Sequence, residues 1–81
     1  MQRFLMTPTQ TGQMLVSRRK ALKLSQEAVA NRLGISQPRY SELEIHPDRI
    51  TLDRLLILAS VLKLDLALCE KDSEPVQKGE W

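Results

Sequence analysis

The chain is poor in what usually fills or staples a small domain. Among its 81 residues there is one tryptophan, one tyrosine, one phenylalanine and a single cysteine, Cys69. A lone cysteine excludes an internal disulfide and suits a reducing compartment. Three aromatic rings leave little bulk for a core, and so short a chain makes one domain, for which dimerisation is a common remedy. No apolar run approaches transmembrane length, and the opening residues MQRFLMTPTQ lack the long apolar stretch of a secretory signal. A cytoplasmic location, away from any membrane, is expected. Clusters that carry chemistry are equally scarce. His46 stands alone in a Pro-containing loop, and Cys69 stands alone on an apolar segment. No metal-ligand cluster, phosphate-cradling glycine loop or nucleophile–base set can be assembled, so neither an enzyme nor a cofactor protein is expected.

The net charge of +2 hides an asymmetry. Residues 1–40 carry seven Lys or Arg (Arg3, Arg18, Arg19, Lys20, Lys23, Arg32, Arg39) against Glu27 alone, a local charge of +6. Residues 41–81 carry five basic against nine acidic residues, a local charge of −4. A basic half of this kind is the electrostatic footprint of a duplex binder, although Lys and Arg also populate ordinary solvated faces.

The basic half holds the sharpest pattern, Leu24 to Glu44, LSQEAVANRLGISQPRYSELE. Ser25 is an N-cap, and Gln26, Glu27 and Ala28 open a helix behind it. Ala30 and Leu33 give that helix an inward face, and Gly34 follows where a left-handed cap ends a helix most easily. Ile35 can plug the corner. Ser36 is a second N-cap for a helix to about Glu44, buried through Tyr40 and Leu43. Two short helices around a glycine turn form a helix-turn-helix, whose second helix can enter the DNA major groove.

Around this unit, Thr7-Pro8 reads as an N-cap with Pro at the first helical position, opening a first helix to about Leu22. Its inward side includes Leu15 and Leu22. Residues 45–50 read as a loop. Thr51 caps a fourth helix to about Leu62, with Leu52, Leu55, Leu56, Ala59 and Leu62 as its apolar stripe. In residues 63–70, Leu64, Leu66 and Leu68 alternate with Asp65, Ala67 and Cys69, the period of a half-buried strand over about 64–70. A lone strand leaves backbone groups unpaired. It can pair with its own copy across a two-fold axis, making Leu64, Leu66 and Leu68 a dimer interface, or with residues 1–6 of the same chain. A third reading extends the fourth helix. Domain 1–71 is then followed by a polar tail, 72–81, broken by Pro75 and Gly79 and expected to be flexible. The tail carries Trp81, a residue type favoured as an anchor for a protein partner.

On the third helix, Gln37 sits in the first turn, where recognition helices touch base edges, and its amide can pair with adenine N6 and N7. Pro38 and Ser41 lie near it, and Ser41 can reach a base or a phosphate. Arg39, to one side, suits a phosphate. Ser25 and Ser36 are caps that can also touch phosphate, and Gln26 begins a helix whose positive end favours a phosphate oxygen. Glu42 is the awkward neighbour, since a carboxylate repels phosphate unless it accepts from a cytosine amino group. Arg19 and Glu44 are expected to form a salt bridge between helices that clamps the domain, which removes both from the set of DNA readers.

LSQEAVANRLGISQ resembles the repressor superfamily of phage lambda, through Gln26, Ala30, Gly34 and Gln37 over roughly residues 10–62. More narrowly, the chain looks like the HipB antitoxins. The resemblance rests on Pro8-Thr9-Gln10, the Gly34-Ile35 turn with Gln37, Pro47-Asp48 before Thr51-Leu52, the Leu-rich segment containing Leu68-Cys69, and the terminal Glu80-Trp81. It implies an all-α, lambda-repressor-like helix-turn-helix bundle with a short C-terminal strand that pairs across a homodimer. It also implies a repressor of its own operon that binds operator DNA and neutralises a HipA-type serine/threonine kinase toxin, with Trp81 serving the kinase. Pro38, Arg39 and Glu42 depart from the family's recognition helix, so no operator sequence is carried over. Tyr40 fills a slot usually held by Val or Ile. Two rival readings are a stand-alone phage-like repressor and a protein-binding adaptor that no longer reads sequence.

Overall fold

The computed structural model describes residues 4–70. The tail 72–81 and Trp81 lie outside them. Four α-helices follow in order: α1 Pro8–Ala21, α2 Gln26–Leu33, α3 Gln37–Ile45 and α4 Leu52–Val61. A 3-10 turn, Pro47–Arg49, occupies what the sequence read as plain loop.

All four helices start on a hydroxyl cap. The Thr7, Ser25, Ser36 and Thr51 side chains accept from the backbone N–H groups of Gln10, Ala28, Arg39 and Arg54 at 3.0–3.3 Å. Each satisfies one orphan donor of a first turn. Pro8 and Pro38 stand within the first two positions of α1 and α3, where a missing N–H costs nothing. The stops are alike too. Leu24, Ile35 and Leu64 donate back to the carbonyls of Arg19, Ala30 and Ala59 at 2.8–3.1 Å, closing three Schellman turns. The left-handed residues in them are Lys23, Gly34 and Lys63, with φ of 59°, 75° and 58°. Only the middle one is glycine, so the sequence marks the end of α2 more sharply than the ends of α1 and α4.

Leu15, Val29, Ala30, Tyr40, Leu58 and Leu62 form the buried core, ringed by partly buried groups that include Leu24, Ile35, Leu55 and Leu64. α3 packs on α1 and α2, and α4 packs on α2. Two contacts that are remote in sequence hold the ends. The Arg18 guanidinium donates to the carbonyls of Leu62 at 2.9 Å and Lys63 at 3.4 Å, so a basic side chain closes the negative end of α4. Gly12 is buried under the 3-10 turn, where a Cβ would stand 2.5 Å from Pro47 Cγ. Only a hydrogen at that position lets the turn sit on α1.

Two expectations are corrected. Leu52 and Leu56 do not join the inward stripe of α4: they are 66% and 48% exposed, while Leu58, not named in that stripe, is buried. The helix is rotated so that Leu55, Leu58, Ala59 and Leu62 face inward at helical spacing. So many apolar residues in ten leave a second row that one small core cannot cover. Beyond α4 the chain does not continue as helix, because Lys63 turns left-handed and ends it. Residues 64–70 form no strand within the single chain among the described residues. No backbone hydrogen bond joins them to residues 4–6. Leu64 tucks half-buried against its own core, whereas Leu66 and Leu68 are exposed.

Candidate nucleic-acid interface

The N-terminal ends of α2 and α3 lie beside each other across the Gly34 turn. They present Ser25, Gln26, Ser36, Gln37, Pro38, Arg39 and Ser41. Ser25, Ser36, Gln37, Pro38 and Arg39 are exposed, while Gln26 and Ser41 are half-buried. Ser25 and Ser36 are occupied as caps, each with its hydroxyl still able to donate outward.

Beneath this surface lies the expected ion pair. Arg19 donates through Nε to Glu44 Oε2 at 2.7 Å and through Nη2 to Oε1 at 3.3 Å, a two-pronged contact between nearly buried side chains. Its remaining nitrogen Nη1 donates to the Leu24 carbonyl at 2.9 Å, tying the clamp to the turn before α2. Burial alone would raise the Glu44 pKa. The hydrogen bonds from Arg19 and Gln26 outweigh it, and the carboxyl is held below its ordinary value of 4.5. Burial pushes the neighbouring Tyr40 phenol up, so it stays neutral and acts as core.

From Glu44 the network runs outward. Gln26 Nε2 donates to Glu44 Oε1 at 2.8 Å, and Gln37 Nε2 donates to Gln26 Oε1 at 2.7 Å. The chemistry fixes the sense of each amide. A carboxylate only accepts, so Gln26 must turn its NH2 inward and its carbonyl toward Gln37. Gln37 must then use one N–H on Gln26, which leaves its second N–H and its Oε1 free. That remaining pair matches the N7 acceptor and N6 donor of adenine.

The sequence placed Gln26 and Gln37 separately, one against phosphate and one against a base. It missed that they form one unit on the Arg19–Glu44 clamp. No local signal joins residues 11 and 18 apart in the chain; the link exists only once the corner is folded. Arg18, counted in the basic half, is also spent within the fold. Lys20, Lys23, Arg32 and Arg39 remain as exposed cations among the described residues of that half.

Two short capped helices, a glycine corner and a polar amide held at the start of the second helix define a DNA-reading class of domain. The chain belongs to the helix-turn-helix family: the model described as Helix-turn-helix (HTH_3) matches residues 15–68. Among solved structures it is similar to HipB. It is 28% identical to the chain of a HipB–O1–O2 complex, covering 85% of this chain and 100% of that one with a TM-score of 0.77. It is 28% identical to a HipB–O4 20mer complex, at 85% and 97% coverage and a TM-score of 0.76. It is 27% identical to a chain in a HipA–HipB–O2–O3 complex, at 88% and 100% coverage and a TM-score of 0.78. The fold is thus the all-α helix-turn-helix bundle that the sequence resemblance implied, matching HipB. No curated protein matches the chain by sequence. No helix among the described residues is long and apolar enough to cross a membrane.

Proposed function

We propose that the protein is a dimeric, sequence-specific repressor of its own operon and the antitoxin of a HipA-type serine/threonine kinase. The observation that carries the DNA-reading half is the Gln37 amide, held on Gln26 and Glu44 with an adenine-matching donor and acceptor left free. Gln37 and Ser41 read base edges, with Pro38 in contact beside them. Ser25, Gln26, Ser36 and Arg39 meet phosphate.

Dimerisation is supported by apolar surface that one chain leaves open. Leu56, Ala59, Leu64 and Leu66 line a shallow groove between α4 and the segment after it. Leu52, Ile57 and Leu68 are exposed as well. Beyond Leu64, residues 65–70 make no backbone hydrogen bond among the described residues, and the same segment of a second copy can satisfy them. The antitoxin half is supported by the similarity to HipB structures and to a chain of the HipA–HipB–O2–O3 complex. In this reading domain 1–71 serves DNA and dimerisation, and Trp81 on the tail 72–81 serves the kinase. The working compartment is the one that holds the operator, the cytoplasm.

The test titrates full-length protein with duplexes selected from a random library, and by calorimetry with the kinase encoded beside it. Specific duplex binding without kinase binding would leave a stand-alone repressor. Kinase binding without sequence preference would leave a protein-binding adaptor.

A further inference from the structure

The part of α3 that projects furthest from the domain is not Gln37. Successive helical residues are about 100° apart, so Gln37 lies only about 60° round from the fully buried Tyr40. Glu42 lies about 160° round and is exposed. Pro38, one turn before it, and Ile45, nearly one turn after it, share that outermost line, and Ile45 is 68% exposed. Ser41 sits on the flank and is half-buried. A helix entering the major groove with its buried face toward the domain therefore brings Glu42 deepest among the base edges.

A carboxylate there is costly unless something donates to it. Among the described residues no cation stands within 4.0 Å of Glu42, the one ion pair being Arg19–Glu44. The compensating donor has to come from DNA. The major groove offers two, cytosine N4 and adenine N6. Adenine sets its N7 acceptor beside N6, where it repels a carboxylate. Cytosine presents its amino group without an adjacent acceptor. Thymine and guanine present oxygens. Once docked in the groove, the apolar Pro38 and Ile45 flanks would exclude water from the same line and strengthen a hydrogen bond formed there.

We infer that Glu42 is a specificity-determining residue, accepting from the N4 amino group of a cytosine in each half-site. This rests on the DNA-reading role proposed above. Full-length protein is used to select sites from a random duplex library. Affinities are then measured on duplexes changed one base pair at a time, for the wild type, Glu42→Ala and Gln37→Ala. At one position per half-site, replacing cytosine with thymine should weaken wild-type binding about 5- to 150-fold. Glu42→Ala should bring that ratio close to one and, by removing a negative charge, raise affinity for random duplex. Preferences unchanged at every position in Glu42→Ala, with a uniform gain in affinity, would overturn the inference and leave Glu42 as a simple repulsive charge. In that case Gln37→Ala still altering an adenine preference would keep the repressor reading intact. A wild type with no sequence preference at all would remove both.

Discussion

Replacing Arg19 with Met strands the Glu44 carboxylate under the corner between α2 and α3. Losing one member of a buried pair costs about 3–5 kcal/mol, because the other charge keeps its desolvation and loses its partner. Arg19→Met, Glu44→Gln and the double mutant, compared by thermal or urea melts, should show strong coupling. Additive losses within about 0.5 kcal/mol would mean that the two side chains act independently. The pH dependence has a definite sign. The folded Glu44 pKa lies below its ordinary value of 4.5, so its contribution is present above that value. It is lost as the pH falls from there through the folded pKa. Wild-type stability should therefore drop more steeply below about pH 4.5 than that of Glu44→Gln. At the surface, Gln37→Ala should cost about 1–3 kcal/mol on the cognate site and relax one base position. Arg39→Ala should weaken all sequences alike and flatten the salt slope by about one unit. The Arg19–Glu44 pair was legible because helical spacing sets both residues at buried edges. The Gln26–Gln37 bond was not, because it depends on how closely two helix ends approach.

The helix starts were legible because a hydroxyl before a periodic run has a direct physical role as a cap. The stops of α1 and α4 were blurred by one residue because lysines, not glycines, take the left-handed position. This makes a clean test. An L-residue in that conformation is strained by about 1–2 kcal/mol, and glycine gives back part of the gain as unfolded-chain entropy. Lys23→Gly and Lys63→Gly should each stabilise the fold by roughly 0.5–1 kcal/mol in melts, without altering DNA affinity through Lys63. Gly12 carried no signal at all, since an isolated glycine in a helical pattern reads only as a weak helix former. Its reason is the Pro47 ring above it. Gly12→Ala improves helix propensity by about 1 kcal/mol, but the new methyl must displace the 3-10 turn. A net loss of about 1–2 kcal/mol is expected in chemical denaturation, with overpacking outweighing propensity.

For the molecule as a whole, the Leu52 and Leu56 error is informative. Periodicity in a leucine-rich helix shows that apolar faces exist, but not which one a single chain can cover. The row left outside α4, together with Leu66 and Leu68, is where a second copy is expected. Leu66→Lys should convert a dimer to monomer in sedimentation while Leu64, packed on its own core, keeps the domain folded. A wild type that remains monomeric at high micromolar concentration would remove the dimer. Deleting residues 78–81 should leave melting temperature and operator affinity nearly unchanged and weaken binding to the kinase, as calorimetry would show.

The bridge from Glu44 through Gln26 to Gln37 also bears on the thermodynamics of recognition. A glutamine free in solvent samples many rotamers, and fixing it at an interface costs about 0.5–1.5 kcal/mol of ordering. Here two hydrogen bonds hold the row of amides before any partner arrives. The rotamer entropy of the reading side chain is thus surrendered during folding, not at docking. Gln26→Ala would release it without removing any atom of Gln37. Association with the cognate duplex would then show a less favourable entropy, in addition to the enthalpy lost with the Gln26 phosphate contact.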